Sequence, residues 1–141
     1  MRRGVTRAGE TACDIRAPAK LNLSLAVLAR RADGFHEIES LMVPVTLHDV
    51  VRVRVTQQPG IRLTVRFGGR LAGPRGASLA RDVPTDDGNL VVRAIRLLAA
   101  EAGIEPRLDI ELVKAIPSGA GLGGGSSDAA AVLRAAATVW G

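Results

Sequence analysis

The sequence predicts an α+β domain in which a mainly antiparallel sheet carries helices on one face. Apolar and polar side chains alternate with a period of two through much of residues 20–67, as in strands that bury one face. A helical pattern runs from Asn89 to Gly103, and an alanine-rich one from Ser126 to Trp140. A further alternating segment at 107–114 separates the two helices. The predicted order is therefore ββββαβα, without an internal repeat.

The first long strand is predicted around residues 20–28, with Lys20 and Asn22 on its polar face. The apolar face predicted to be buried consists of Leu21, Leu23, Leu25 and Val27. Further strands are predicted at 37–46, 48–56 and 61–67, where Pro44 marks an edge or a bulge. Residues 57–60 are predicted to form a hairpin turn that joins the last two strands.

The second half begins with a long connection at 68–88, which is rich in Gly, Pro and Asp. Asn89 is a good N-cap for the first helix, and the chain then leaves that helix before Gly103. The predicted buried stripe of this helix contains Leu90, Ala94, Leu97 and Leu98. In the strand at 107–114, the side chains predicted to face inward are Leu108, Ile110 and Leu112.

Length and composition limit the possible classes of protein. A chain of 141 residues has room for one domain, or for part of one that continues elsewhere. With 47% hydrophobic and 23% charged residues, it is neither a disordered chain nor a collagen or coiled coil. The single Cys13 excludes an internal disulfide framework and favours a reducing, cytoplasmic location. No run of 18 apolar residues occurs, so we expect no membrane partner.

The net charge of +5 favours phosphate-bearing ligands. All of the 19 basic residues except Lys20 and Lys114 are Arg. They occur as pairs and alternating positions, as on solvated strand faces, and form no continuous basic block.

The most informative segment is the glycine loop, which we define as residues 117–127. It holds five glycines within positions 119–125 and lies between a predicted strand and a predicted helix. Glycines let backbone amides converge on an oxyanion, and the first turn of the following helix adds unpaired N–H groups and a partial positive charge. A phosphate is therefore the natural ligand.

Three other interpretations of this loop were weighed. A Walker A loop requires a Lys before Ser126, and none is present. A dinucleotide fingerprint is matched by Gly119, Gly121 and Gly124, but the acidic residue expected about twenty positions later is missing. A plain connector with Ser126 as a helix cap remains an alternative, although so many glycines are costly to order without a ligand.

The motif Pro-x-x-x-Gly-Leu-Gly-Gly-Gly-Ser-Ser-Asp-Ala-Ala, which begins at Pro117, resembles the phosphate-binding motif of the GHMP small-molecule kinases. Segments 17–23, 31–37 and 89–94 resemble those of 4-diphosphocytidyl-2-C-methyl-D-erythritol kinases. The resemblance implies a ribosomal protein S5 domain 2-like fold for residues 14–141, the N-terminal, ATP-binding domain of such a kinase. It leaves residues 1–13 as a disordered extension, and the family's C-terminal domain is absent from these residues.

The same resemblance implies roles for individual residues. Lys20 would be catalytic, Asn22 would contact the substrate, Phe35 would stack on its cytosine ring and His36 would hydrogen-bond that ring. From residue type alone, Lys20 would extend to solvent and His36 would be an ordinary polar residue. Asp33 is expected to form a turn with Gly34. The residues implied to wrap the ATP phosphates are Pro117, Ser118, Gly119, Ala120, Gly121, Leu122, Gly123, Gly124, Gly125, Ser126 and Ser127.

The resemblance implies ATP as co-substrate together with Mg²⁺, which Ser126 or Ser127 could help to hold. The implied reaction is phosphorylation of a hydroxyl of 4-diphosphocytidyl-2-C-methyl-D-erythritol in non-mevalonate isoprenoid biosynthesis. The family's general-base Asp, expected downstream, is absent from these residues, so we expect the isolated chain to bind nucleotide without turnover.

The alternative is a non-catalytic nucleotide- or RNA-binding module. Phe35, Phe67 and Trp140 are the only aromatic residues, which disfavours a stacking platform for nucleic acid.

Overall fold

The computed structural model describes residues 2–3, 11–73 and 83–141. Its strands are β1 (Arg2–Arg3), β2 (Ala12–Arg30), β3 (His36–Val55), β4 (Gly60–Phe67) and β5 (Arg107–Lys114), and its α-helices are α1 (Leu90–Ala102) and α2 (Gly124–Trp140). A single 3₁₀ turn, Gly69–Leu71, follows β4 within this described part. The predictions for residues 1 and 4–10 of the extension, and for 74–82 of the long connection, lie outside the described residues.

The strands form one sheet in the order β1-β2-β3-β5-β4. Neighbouring strands are antiparallel, except that β4 and β5 run parallel. Both helices pack against the apolar face of this sheet, which confirms the predicted α+β class. The opposite face carries charged side chains such as Arg52, Arg54 and Glu111.

An aliphatic core fills the space between the sheet and the helices. It takes alternate residues from each strand and the apolar stripe of each helix: Cys13, Ile15, Ala17, Val51, Val53, Leu63, Leu108, Ile110, Leu112, Val91, Val92, Ile95, Ala131, Val132, Ala135 and Ala136. The small alanines let α2 lie close to β2 and β3, against which it packs. This packing places the N-terminus of α2 at the end of the sheet where β5 ends.

Helix α1 has the predicted ends, because Asn89 Oδ1 accepts a hydrogen bond from Val91 N (2.9 Å) and Gly103 closes the helix at φ 64°. The predicted stripe is only partly right. Leu97 is 72% exposed and Leu90 is also exposed, whereas β-branched residues such as Ile95 are buried. The helix is thus rotated so that its β-branched residues meet the sheet.

The predicted hairpin between β3 and β4 is wrong. Strand β5 lies between them, pairing with β3 on one side and with β4 on the other. The backbone amides on either side of this turn donate hydrogen bonds to β5 and to the residue before it. Thr56 N donates to Arg107 O (2.9 Å), and Gly60 N donates to Pro106 O (2.7 Å). The short turn makes β3 and β4 antiparallel, but the two strands do not pair with each other, because β5 lies between them.

The two strands predicted at 37–46 and 48–56 are one continuous strand, β3. With β2 it forms a two-stranded ribbon, residues 21–47, that extends beyond the helices. Burial along β2 stops at Lys20, and the predicted buried face of Leu21 to Val27 is wrong, since Leu23 and Val27 are 62% and 63% exposed. Neither helix of the described chain reaches the ribbon to cover it.

No helix in the described residues is long and apolar enough to cross a membrane.

Candidate functional site

The glycine loop connects β5 to α2 and lines a cavity of about 400 Å³. Its opposite wall comes from the segment that leads into α1, and its floor from the inner ends of β5 and α2. The lining residues are Val83, Pro84, Gly88, Asn89, Leu90, Leu112, Lys114, Pro117, Ser118, Gly119, Ala120, Gly121, Leu122, Gly123, Gly124, Gly125, Ser126 and Asp128. Of the eleven loop residues predicted to bind a phosphate, Ser127 alone does not line the cavity.

Three glycines of the loop adopt left-handed backbone conformations. Gly119, Gly121 and Gly123 have φ of 72°, 71° and 72°, a region that side chains with a Cβ disfavour. Alternation of left-handed and right-handed residues turns successive N–H groups toward one side of a loop, which is the geometry of an anion nest. The glycines are thus required by the conformation of the loop.

Helix α2 begins without a side-chain cap. Its N-cap is Gly123, no side chain bonds to the cap N–H groups, and the first turn holds no acidic residue. The alternative in which Ser126 caps this helix does not hold, because the helix begins at Gly124 and Ser126 lies within its first turn. The unpaired N–H groups and the positive end of the helix dipole therefore face the cavity without a carboxylate in the first turn of the helix.

Lys20 lies beside the loop. Its backbone N donates to Leu122 O (2.9 Å), and its side chain runs along Gly123, where a Cβ would stand 3.0 Å from Lys20 Cγ. The Lys20 ammonium donates to Asn22 Oδ1 (3.3 Å). The structure thus places Lys20 beside the glycine loop and Asn22 within hydrogen-bond distance of Lys20.

Phe35 and His36 lie at the far tip of the ribbon. His36 pairs with Arg30, ten residues beyond Lys20 along β2, a span of roughly 30 Å at the rise of an extended strand. Phe35 is 72% exposed, and neither residue lines the cavity. The predicted turn before them is confirmed, since Asp33 Oδ1 accepts from Phe35 N (3.1 Å) and Gly34 has φ 87°. The described residues therefore do not bring the predicted cytosine contacts to the cavity.

A buried charged triad, Asp49–Lys114–Asp128, contributes Lys114 and Asp128 to the lining of the cavity and had no role in the sequence prediction. The Lys114 ammonium donates to Asp49 Oδ2 and to Asp128 Oδ2, the latter at 2.7 Å. Asp49 Oδ1 accepts from the backbone N of Ala115 (2.5 Å) and Ile116 (2.8 Å). The three triad side chains are at most 5% exposed.

The buried polar side chains of the described part of the chain all belong to this region. They are Asp49, Asn89, Lys114 and Asp128. Asn89 Nδ2 donates to Pro84 O (2.7 Å), which ties the wall segment to the start of α1. Buried polar groups are costly unless paired, so their concentration in this region makes the cavity the candidate functional site.

Burial raises the pKa of Asp128 to about 7, against the opposing effect of its hydrogen bond and charge interaction with Lys114. For Lys114, burial disfavours the ammonium, but its hydrogen bonds to the two carboxylates outweigh that cost and raise its pKa. Asp128 Oδ1 is buried and has no hydrogen-bond partner. With both carboxylates ionised, the triad carries one negative charge more than its single ammonium balances.

Comparison with known proteins identifies the family. The family model described as the N-terminal domain of GHMP kinases matches residues 89–141. Over 123 residues the chain is 46% identical to the 4-diphosphocytidyl-2-C-methyl-D-erythritol kinase of Rhodopirellula baltica, a match that covers 83% of this chain and 37% of the relative. It is 50% identical over 125 residues to the enzyme of that name from Granulibacter bethesdensis, covering 89% of this chain and 38% of the relative. The chain belongs to the GHMP kinases.

A solved structure agrees with this assignment to the GHMP kinases. The crystal structure of a 4-(cytidine 5'-diphospho)-2C-methyl-D-erythritol kinase matches with 42% identity and a TM-score of 0.59, covering 88% of this chain and 39% of that one. The chain therefore spans less than two fifths of the length of the relatives that it matches. The part matched by the GHMP kinase model contains α1, β5, the glycine loop and α2, which together form most of the cavity.

Proposed function

We propose that this chain is the ATP-binding N-terminal domain of a kinase that phosphorylates a hydroxyl of 4-diphosphocytidyl-2-C-methyl-D-erythritol. The observation that carries the proposal is the junction of β5 and α2. There, left-handed glycines and an uncapped helix N-terminus line one cavity, and Lys20 lies against the loop at Leu122 and Gly123. This combination of N–H donors and a cation is what a polyphosphate requires. The length and amino-acid identity of the match to enzymes of that name support the choice of substrate.

In this proposal the glycine loop, residues 117–127, holds the ATP phosphates by its backbone N–H groups. Phosphoryl transfer depends mainly on positioning and on stabilising the charge of the transferring group. Lys20 would supply a fixed positive charge for that purpose, and its backbone bond to Leu122 keeps the cation beside the loop. Asn22, which accepts from Lys20 Nζ, would orient this cation and contact the acceptor.

Mg²⁺ would accompany the nucleotide. Within the described residues no three His, Cys, Asp or Glu side chains form a metal-binding group, so the protein offers no preformed metal cage. Mg²⁺ in kinases is commonly held by substrate phosphates, water and few protein oxygens, and this fits the donors present. Ser126 lines the cavity and Ser127 does not, so Ser126 is the better placed of the two serines to contribute a hydroxyl.

Phe35 and His36 would recognise the cytosine of the substrate at the tip of the ribbon. Exposed aromatic and imidazole side chains beside a tight turn suit stacking and hydrogen bonding to a base. The reducing cytoplasm would be the site of action, as the buried free Cys13 suggests. The general base would lie in the part of the relatives that this chain does not span.

Nucleotide titration of the purified chain tests the proposal. We expect saturable binding of ATP and ADP by calorimetry, and no binding to a Gly121→Val variant, because valine disfavours φ 71°. Equal binding to both proteins would exclude the glycine loop as the site. Phosphorylation of the cytidyl substrate is to be assayed in the full-length protein.

A non-catalytic RNA-binding module remains the second candidate, favoured by the charge of +5. The arginines of the open sheet face are partly neutralised, since Arg52 bonds to Asp14 and Glu111, and Arg66 to Glu111. RNA affinity that falls steeply with salt and is unaffected by ATP would favour this module over the kinase.

A further inference from the structure

The two ends of the glycine loop are connected through the buried Lys114 ammonium, which bonds to Asp49 on β3 and to Asp128 on α2. We propose that Asp49 and Asp128 are positioning residues, which act through Lys114 to hold the loop in the conformation that binds nucleotide. This inference rests on the proposed nucleotide site and adds a mechanism of preorganisation to it.

The first tie holds the start of the loop. After Lys114 the chain leaves the sheet, so the next two backbone N–H groups have no strand partner. Asp49 Oδ1 accepts from both, at 2.5 Å from Ala115 N and 2.8 Å from Ile116 N. A carboxylate that accepts two consecutive N–H groups fixes the direction in which the backbone turns. Asp49 thus sets the path by which the chain enters Pro117 and the loop.

The second tie holds the end of the loop. Lys114 Nζ, already bonded to Asp49 Oδ2, also donates to Asp128 Oδ2 (2.7 Å) in helix α2. The loop therefore begins and ends on groups that share a single ammonium. A segment with five glycines has many alternative conformations, and fixing both ends reduces that number before the ligand arrives.

The Lys114 ammonium also lies directly beneath the first residue of α2. A Cβ at Gly124 would stand 3.3 Å from Lys114 Nζ and 3.0 Å from Ile116 Cγ2. The helix N-terminus therefore rests on Lys114 and Ile116, the residues that Asp49 holds. A shift of Asp49 or Asp128 would move the N–H groups that face the cavity.

Stability alone does not account for this arrangement. Buried ion pairs are usually no more stabilising than apolar residues of the same size, and apolar side chains surround the triad in the core. Directional bonds to named backbone N–H groups, in contrast, are something that apolar residues cannot supply.

Binding of ADP to variants of the full-length protein tests the inference. Asp49→Ala removes the first tie and the Asp49–Lys114 bond, and should weaken ADP binding at least tenfold, raising the KM for ATP while the KM for the cytidyl substrate is unchanged. Asp49→Asn keeps an oxygen that can accept from Ala115 N and Ile116 N but loses the bond from Lys114, so it should recover part of the affinity. Asp128→Ala should likewise weaken ADP binding. Asp128→Asn should recover it, because the amide oxygen can still accept from Lys114.

Val53→Ala is the matched control. Val53 is fully buried on the same strand as Asp49 but pairs with Ile110, away from the loop. This variant should lose stability while its ADP affinity stays within twofold of wild type. If Val53→Ala weakens ADP binding as much as Asp49→Ala does, or if Asp49→Ala binds like wild type, the positioning role is overturned.

Hydrogen exchange separates this inference from the proposed function. Amides of Ala115, Ile116 and residues 119–125 should exchange faster in Asp49→Ala than in Asp49→Asn, without ligand. Unchanged exchange at these amides overturns the inference even if ADP binds. Faster exchange in a protein that binds no ADP at any concentration would support the anchoring and overturn the nucleotide site instead. Should Asp49→Ala fail to fold, the Asp128 pair of variants gives the same comparison.

Discussion

Lys20 and Gly123 are in contact across two elements that are far apart in sequence. A methyl group at Gly123 would come within 3.0 Å of Lys20 Cγ and 3.3 Å of Lys20 Cε, while the Lys20 N–H bonds to the neighbouring Leu122 O. Lys20 is thus held beside the loop by both its backbone and its side chain. This contact links the position of the proposed catalytic group to the conformation of the loop.

Gly123→Ala should disrupt both the position of Lys20 and the conformation of the glycine loop. Alanine at φ 72° is strained by about 1 kcal/mol, and its methyl group would displace the Lys20 side chain. We expect ADP affinity to fall at least tenfold. Gly103→Ala is the matched control, because Gly103 has a similar φ of 64° with no heavy atom within 4 Å of the added Cβ. Gly103→Ala should lose a similar amount of stability and retain its ADP affinity. If Gly103→Ala and Gly123→Ala weaken ADP binding equally, the proposed contact is contradicted.

Lys20→Met should lower kcat of the full-length enzyme at least a hundredfold, since loss of one group that stabilises transition-state charge commonly costs that much. Lys20 is only half-buried, and the one described side chain that its ammonium bonds to is Asn22. The temperature of thermal unfolding should therefore change little. ADP release in the presence of the cytidyl substrate is the measurement. Arg54→Met, on the opposite sheet face, is the control and should leave kcat unchanged. A Lys20→Met enzyme with normal kcat would exclude a catalytic role.

The fold was predictable from the sequence as far as alternation and capping allow. Side-chain alternation identified β4, β5 and parts of β2 and β3, but not β1 or the first residues of β2, and Asn89 and Gly103 gave the ends of α1. Alternation does not reveal which strands are neighbours, so β5 was not placed between β3 and β4. Nor does it reveal what covers a face, so Leu23 and Val27 were expected to be buried although the helices end short of them.

The glycine loop and Lys20 were found through their motif, but the triad was missed. Its members do follow the periodicities of the core: Lys114 continues the inward positions of Leu112 and Ile110, and Asp49 precedes Val51 in the same register. Asp128 precedes Ala131 and Val132 on the buried stripe of α2. A charged residue at an inward position signals a buried pair, whereas its partners become known only from the tertiary structure.

Lys114→Met should destabilise the protein by about 3–5 kcal/mol, because it leaves two buried carboxylates without their cation. The free energy of unfolding in urea at pH 7 measures this loss. Arg96→Met provides the comparison, since the Arg96–Asp87 pair has a good distance of 2.7 Å but both side chains are more than 60% exposed. Its loss should cost at most about 1 kcal/mol. Similar losses for the two variants would mean that the triad is not buried as described.

The pKa of Asp128 makes stability depend on pH in a direction opposite to that of an ordinary paired carboxylate. Burial raises this pKa to about 7 in the folded protein, whereas an unfolded Asp titrates near 4. Between these values the folded state binds more protons than the unfolded state, so this group's contribution to the free energy of unfolding decreases as the pH rises from about 4 to 7.

Asp128→Asn removes that titration while keeping the size of the side chain and an acceptor for Lys114. Urea unfolding of both proteins at pH 4.5, 5.5, 6.5 and 7.5 isolates the effect, since all other carboxylates are shared. Relative to the variant, wild type should lose up to about 1.4 kcal/mol for each pH unit in this window. The variant should be the more stable protein at pH 7.5. A difference that stays constant with pH, or that grows in favour of wild type, would show that Asp128 is ionised in the folded state throughout and that Lys114 outweighs its burial.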